Sequence, residues 1–307
     1  MRFLTQESKR NIRNEVAMEA EMKLKVKQSS LFADFSRRMV KGWSSKLGFI
    51  LFVFIVLACL IGPLLSPYRV NEIFLDQINA SPSAAHWFGC DSMGRDLLTR
   101  ILYGGRYSLN LGLSAALLSA LVGSTFGLVA GYFGSAVDGF IMRFMDVWSA
   151  LPGMLLCILV SAFLGAGFYS TVIALTVGNI PYVARMIRGQ VLSERTKEYM
   201  EAAKTINCSK LSILFTHLLP NTVQPVIITT TMAIGGTISM AASLSFIGLG
   251  IQPPTPEWGA LLADGRAYIR VFPHLIMFPG IAIALTVLSL NLLGDGLRNA
   301  LDPKLRD

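Results

Sequence analysis

Long apolar runs, each closed by a cluster of charge, set the pattern of this chain. Leu47 to Tyr68, Tyr107 to Val137, Val147 to Ala184, Leu211 to Pro256 and Val271 to Gly294 carry no Asp, Glu, Lys or Arg. A helix crosses a bilayer with about 20 predominantly apolar residues. The third run is too long for one crossing, and Gly165-Ala166-Gly167 divides it. Six spans are therefore expected, at about 47–66, 107–131, 141–164, 168–187, 223–248 and 275–295. The expected fold is an all-α membrane protein with six transmembrane helices (residues 47–296), flanked by polar tails at 1–46 and 297–307. An even number of spans puts both tails on one side.

Composition agrees. The chain is 53% hydrophobic and 15% charged, against about 25% charged in a soluble domain. The net charge of +8 is not spread over a polar, aromatic-interleaved face of the kind nucleic acid needs; the basic residues flank the apolar runs. Lys and Arg concentrate in cytosolic loops. With the N-terminus inside, most of them fall in the first tail, at Arg143, from Arg185 to Lys210 and after Gly294. The outer side then holds Arg69, Arg95, Arg100, Arg106, Arg266 and Arg270. The first tail is too long and charged for a cleavable signal. Within it Glu15 to Lys27 can form a surface helix near anionic lipid, or stay a solvated tail that fixes topology.

Catalytic chemistry is not apparent. Cys59, Cys90, Cys157 and Cys208 have neither metal-type spacing nor a disulfide framework. His86, His217 and His274 are scattered, so no nucleophile–base pair or metal set lies within the spans. No G-x-x-x-x-G-K-[ST] phosphate loop is present. No span has a charge at its centre, which argues against a proton relay or voltage sensor. At the inner end of the third span Asp138, Arg143 and Asp146 form an interfacial anchor or gate element, with Arg143 and Asp146 placed to pair at i, i+3. Gly123, Gly127 and Gly131 line one helix face for close packing. The fifth span, rich in Thr, Ser and Gly from Thr229 to Ser245, belongs inside a bundle or beside a polar path.

Two outer loops carry ordered-looking sequence. In the first (67–106), Gly89 and Gly94 suit turns, and Asp96 caps a short helix expected to end at Gly104-Gly105. The second holds Gln252-Pro-Pro-Thr-Pro-Glu-Trp-Gly259, stiffened by its prolines, and reads equally as a contact face or a lid.

The inner loop (188–221) is a polar island. Glu198 to Ile206 fits a short helix with Ala202, Ala203 and Ile206 on an apolar face and Glu198, Glu201, Lys204 and Thr205 polar. Asn207 sits where a helix ends in a left-handed residue, usually glycine and next asparagine. Ser209 caps a second short helix that Pro220 ends. Read alone, the island is a solvated amphipathic loop or a docking surface.

Here the sequence resembles a known family. Glu201-Ala-Ala203, position 207 and Leu219-Pro220 are similar to the EAA loop of membrane subunits of bacterial ABC importers. Asp138…Met142-Arg143…Asp146…Pro152, Gly89-Cys-Asp-Ser-Met-Gly-Arg-Asp96, Gly248 to Gly259 and Asn291 to Arg298 resemble its peptide/nickel subfamily, most nearly the C-type permease of dipeptide and oligopeptide importers. The resemblance spans about residues 45–307. It departs at Asn207, where the family usually has glycine, and at Cys90, where threonine is common.

The resemblance implies a type I ABC-importer-like permease of the bacterial inner membrane, with both termini cytoplasmic. Glu198, Glu201, Ala202, Ala203, Lys204, Asn207 and Ser209 would dock a cytosolic ATPase as a coupling helix. Gly89, Asp91, Gly94, Arg95 and Asp96 would lie in a scoop-like loop that meets a substrate-binding protein or its cargo. The partners implied are a second, homologous permease subunit, two ATP-binding subunits that hold ATP and Mg, the binding protein and membrane lipid; the chain itself needs no cofactor. Di- or oligopeptides are the expected cargo. Nickel, a metallophore or glutathione is the alternative within the family; an intramembrane enzyme or a passive channel is the alternative outside it.

Overall fold

The computed structural model describes residues 42–209 and 212–301. The tails, including the surface helix expected at Glu15–Lys27, lie largely outside the described residues. Helices α1 (Trp43–Leu65), α2 (Leu97–Phe133), α3 (Ser135–Trp148), α4 (Gly153–Leu164), α5 (Phe168–Glu194), α6 (Glu198–Thr205), α7 (Leu219–Phe246), α8 (Trp258–Gly265) and α9 (His274–Leu301) follow in chain order. Every long apolar run has become helix, as it must where no water can satisfy backbone N–H and C=O groups. Among the described residues the sole β-type pairing is an isolated bridge between Cys90 and Asp96.

Five helices are long and apolar enough to cross a membrane, and α3 with α4, bent by 77° at their break, makes a sixth when the pair is taken as one span. The break falls inside the span expected at 141–164. Pro152 causes the break: it disfavours helical backbone at Leu151 and itself becomes the cap of α4, with φ −53° and ψ 135°.

The second span also differs. The short helix expected to end at Gly104-Gly105 does not end there; α2 runs unbroken for 37 residues from the Asp96 cap. The two glycines are clearance for the second outer loop. A Cβ on Gly104 would press on the Pro256–Glu257 backbone, and one on Gly105 would overlap Cys59 and Trp258. Glu257 is buried: it accepts hydrogen bonds from Ser108 (2.9 Å) and from the Gly259 and Ala260 amides (3.0 Å each). Trp258 is buried in the cluster of α1, α2, α8 and α9 and donates Nε1–H to the Ile101 carbonyl at 2.9 Å. At its second half the proline-rich loop is therefore a brace across the bundle, not a lid.

The glycine stripe packs as expected. Gly123, Gly127 and Gly131 bring α2 against α5 so closely that added Cβ atoms would overlap Val183, the Ala184 carbonyl with Ile187, and Val191 respectively. The hydroxyl-rich α7 lies between α2, α5 and α9. Its Thr229, Thr231, Thr237, Ser239 and Ser243 hydroxyls return to carbonyls four residues earlier, which satisfies them within a largely apolar surrounding. On α1 the outward side chains Ile50, Phe54, Leu57 and Leu64 are exposed, as a lipid-facing surface requires.

Candidate functional site

At one end of the bundle α6 stands on the chain connecting α5 to α7. Met200 and Ala203 are buried with Ile187, Val191, Ile213 and Leu218, so this face fastens α6 to its own subunit. Ala203 is therefore not available to a partner's groove, contrary to the expectation that both alanines face outward. Alternation at helical spacing decides this: positions 200 and 203 point inward, while Glu198, Glu201, Ala202, Thr205 and Ile206 stay exposed. The Lys204 side chain lies outside the described residues.

The end of α6 has the chemistry anticipated for Asn207. Its φ is +58°, and the Cys208 N–H reaches back to the Ala203 carbonyl at 3.1 Å, a six-to-one closure of a helix terminus. Asn207→Gly keeps this backbone, so uptake should stay at the parental level and stability within about 1 kcal/mol. Asn207→Val puts a β-branched residue in the left-handed region and should lower uptake with normal membrane insertion. Transport by membrane vesicles carrying the three proteins checks both.

Ser209 Oγ accepts from the Ser212 amide at 3.2 Å. The helix that follows is not short. A π-type turn, Ile213–Leu218, leads straight into α7, and Pro220 sits in the first turn of α7, where a missing N–H is tolerated. The island is thus welded to the membrane helix instead of being hinged at Pro220.

Three arginines, two on α5 and one at its C-terminal cap, brace this end. Arg188 forms a two-pronged pair with Asp138 of α3 (2.5 and 2.6 Å). Arg185 reaches Asp146 at 3.4 Å and the Ser149 hydroxyl at 2.9 Å. Arg195 donates to the Gly131 carbonyl at the end of α2, at 2.7 Å. The expected Arg143–Asp146 pair is replaced by Arg185–Asp146, because Asp146 faces α5; Arg143 is exposed. Sequence reasoning missed these arginines as clamps, although Arg185 and Arg188, one helical turn apart, fall opposite the two aspartates. The Tyr199 hydroxyl donates to Glu194 at 2.7 Å, tying α6 to the end of α5. Burial first, and then this bond, push the Tyr199 phenol up to about 12.

At the opposite end the loop between α1 and α2 folds around a buried polar cluster. Asp91 accepts from the Met93 and Arg95 amides (2.9 Å each) and from Arg95 Nε at 2.7 Å, and its carboxylate lies 3.2 Å from Arg100 Nε. Arg100 also donates to the Val70 carbonyl and the Asn71 side chain. Asp96 caps α2 through the Thr99 amide at 2.8 Å and pairs with His86 at 2.9 Å. Gly89 and Gly94 hold φ values of +79° and +78°, and a Cβ on either would overlap the carbonyl of Ala80 or Phe74. Burial, reinforced by Asp96 and Asp91, pushes the Cys90 thiol up to about 11.

Gly89, Asp91, Gly94, Arg95 and Asp96 therefore build the loop from within and do not form its contact surface, which corrects the sequence expectation. Charged side chains this deep are paired because an unpaired buried charge is costly. Among the side chains the loop does expose, Trp87 (70% exposed), Met93 (51%), Ile73 and Leu75 are apolar and lie beside the exposed Arg69, Asn71, Glu72 and Asp76. Trp87 was visible in sequence as a large aromatic beside the glycine turn.

A bundle of five or six apolar crossings with a small polar helix welded to one end has the architecture of a membrane subunit. The chain belongs to the family described as binding-protein-dependent transport system inner membrane component, whose model matches residues 123–307. Residues 30–82 match the N-terminal TM domain of oligopeptide transport permease C. It is an ABC importer permease of the peptide/nickel family, multi-pass in the inner membrane, with ATP hydrolysed by partner subunits. A similar protein is the glutathione transport system permease protein GsiD of Pectobacterium atrosepticum (strain SCRI 1043), 47% identical over 79% of this chain and 81% of the relative. Another is the glutathione transport system permease protein GsiD of Escherichia coli O6:K15:H31 (strain 536 / UPEC), 42% identical over 89% of this chain and 90% of the relative. Among solved structures, the inward-facing MetNI methionine ABC transporter aligns with a TM-score of 0.56 at 16% identity, covering 66% of this chain and 97% of that one; this likeness concerns the fold.

Proposed function

We propose that this chain is one of two non-identical permease subunits of an importer whose cargo is glutathione or a closely similar small peptide. The α6 end faces the cytosol and docks an ATP-binding subunit; the Trp87–Met93 end faces outward and meets the substrate-binding protein. The observation that carries the docking assignment is the two-sided character of α6. Met200 and Ala203 bind it to the bundle, while Glu198, Glu201 and Ala202 remain free for a partner. The relatives' names favour glutathione over the di- or oligopeptides expected from the sequence.

Mechanically, a force applied to α6 passes without slack into both α5 and α7. The buried cluster, the Tyr199–Glu194 bond and the continuous run from the π turn into α7 make one rigid unit of them. Closure of the ATPase pair and docking of the loaded binding protein then bias one two-state equilibrium. Small and hydroxyl side chains along α7 suit a path that passes varied polar cargo without a fixed charge.

The complete importer in proteoliposomes, given ATP and a panel of radiolabelled glutathione, dipeptides, longer peptides and nickel, tests the cargo. Uptake of glutathione well above the others is expected; uptake confined to longer peptides or to nickel would overturn it.

A further inference from the structure

A cavity of about 320 Å³ lies between the end of α7, the loop at Gly248–Pro253 and α8. Four polar side chains line it: Ser245, Gln252, Asp264 and Arg266. Ser245 Oγ is buried (4% exposed) and has no hydrogen-bond partner. Gln252 directs its N–H groups at the Gly248 and Gly250 carbonyls, which leaves its amide oxygen available. Among the described residues neither Asp264 nor Arg266 has an ion-pair partner within 4.0 Å. Arg266 rests over the Phe246 ring, 5.2 Å from its centroid. Across a small cleft that Asp264 shares with Asp91, the buried charges of the Asp91–Arg95–Arg100 cluster are paired with one another.

A half-buried carboxylate and an orphaned hydroxyl lining one space cost free energy unless something completes them. Burial also pushes the Asp264 carboxyl above its ordinary range, with Arg100 and Arg95 opposing from the loop side. The two free charges are opposite in sign and flank the same cavity. A ligand that satisfies both must carry a cation and an anion close together.

We propose that this cavity receives an α-amino-acid head, its ammonium on Asp264 and its carboxylate on Arg266, with Ser245 and the Gln252 oxygen taking the remaining hydrogen bonds. The inference rests on the glutathione reading above and deepens it. In glutathione the γ-linkage leaves the glutamyl α-amino and α-carboxylate groups both free on one carbon. In an ordinary peptide the first residue's carboxyl is consumed in the amide bond. The cavity thus separates the two cargo types by charge pattern, at the outward mouth of α7 in the proposed orientation.

The test uses the complete importer in proteoliposomes, saturated with loaded binding protein so that this partner's own affinity does not limit the rate. Glutathione is compared with γ-aminobutyryl-cysteinylglycine, which lacks the α-carboxylate. The parental importer should move glutathione about tenfold faster, the factor for one well-placed charge contact. Arg266→Gln should bring glutathione down to the analogue's rate without slowing the analogue; Arg266→Lys should restore part of the preference. Asp264→Asn should slow both substrates. Equal parental rates, an unchanged preference in Arg266→Gln, or equal slowing of both substrates by that variant would overturn the cavity assignment and leave glutathione import standing. Uptake of ordinary tripeptides with neither test substrate would overturn both readings.

Discussion

Glu201→Arg should reduce uptake by the complete importer at least about tenfold while the variant inserts and folds normally. Glu201 is exposed in the first half of α6. Among the described residues its side chain has no hydrogen-bond or ion-pair partner, while its backbone carbonyl accepts from the Thr205 hydroxyl at 2.9 Å. Surface substitutions away from special features change stability by about 0.5 kcal/mol or less, so the fold should not register the change. A partner groove shaped for a carboxylate would instead meet a like charge, and such juxtapositions cost several kcal/mol. ATP hydrolysis should continue at its unstimulated rate but lose its response to loaded binding protein. Parental uptake in this variant would remove Glu201 from the docking face.

The second large effect is on stability. Asp91→Ala deletes the acceptor of three hydrogen bonds and leaves Arg95 and Arg100 buried without their carboxylate, at 4% and 1% exposure. Removing one partner of a buried pair costs about 3–5 kcal/mol, so the melting temperature of the detergent-purified protein should fall sharply. Asp91→Asn keeps the side chain's shape and one acceptor oxygen and should lie between the two. A melting curve unmoved by Asp91→Ala would show that the cluster does not hold the loop together.

Much of the bundle was legible because bilayer physics leaves so few options. A charge-free run of sufficient length must become helix, and glycines every fourth residue must pack. Asn207 was legible for a local reason: a helix end needs a left-handed residue, and only a few residue types tolerate one. What the sequence concealed depends on neighbours distant in the chain. Asp91, Arg95 and Asp96 read as surface because charged residues usually are; their burial follows from Arg100, Val70 and His86 closing around them. Ala202 and Ala203 look equivalent until α6 is set against Leu218 and Ile187, which buries one and leaves the other free. Gly104-Gly105 looked like a helix end because the loop that fills their gap starts more than 140 residues away. The bend at Pro152 was signalled by the proline, but not its angle.

In the proposed arrangement the exposed face of α6 meets the ATP-binding subunit and the Trp87–Met93 tip of the loop between α1 and α2 meets the substrate-binding protein. Site-specific photocross-linking measures this directly. A benzoylphenylalanine probe is placed singly at Ala202 and at Met93 in the complete importer, which is irradiated with the binding protein present. An adduct with the ATP-binding subunit is expected from position 202, and one with the binding protein from position 93. Capture of the ATP-binding subunit from position 93, or none of it from position 202, would contradict the orientation and the docking face together.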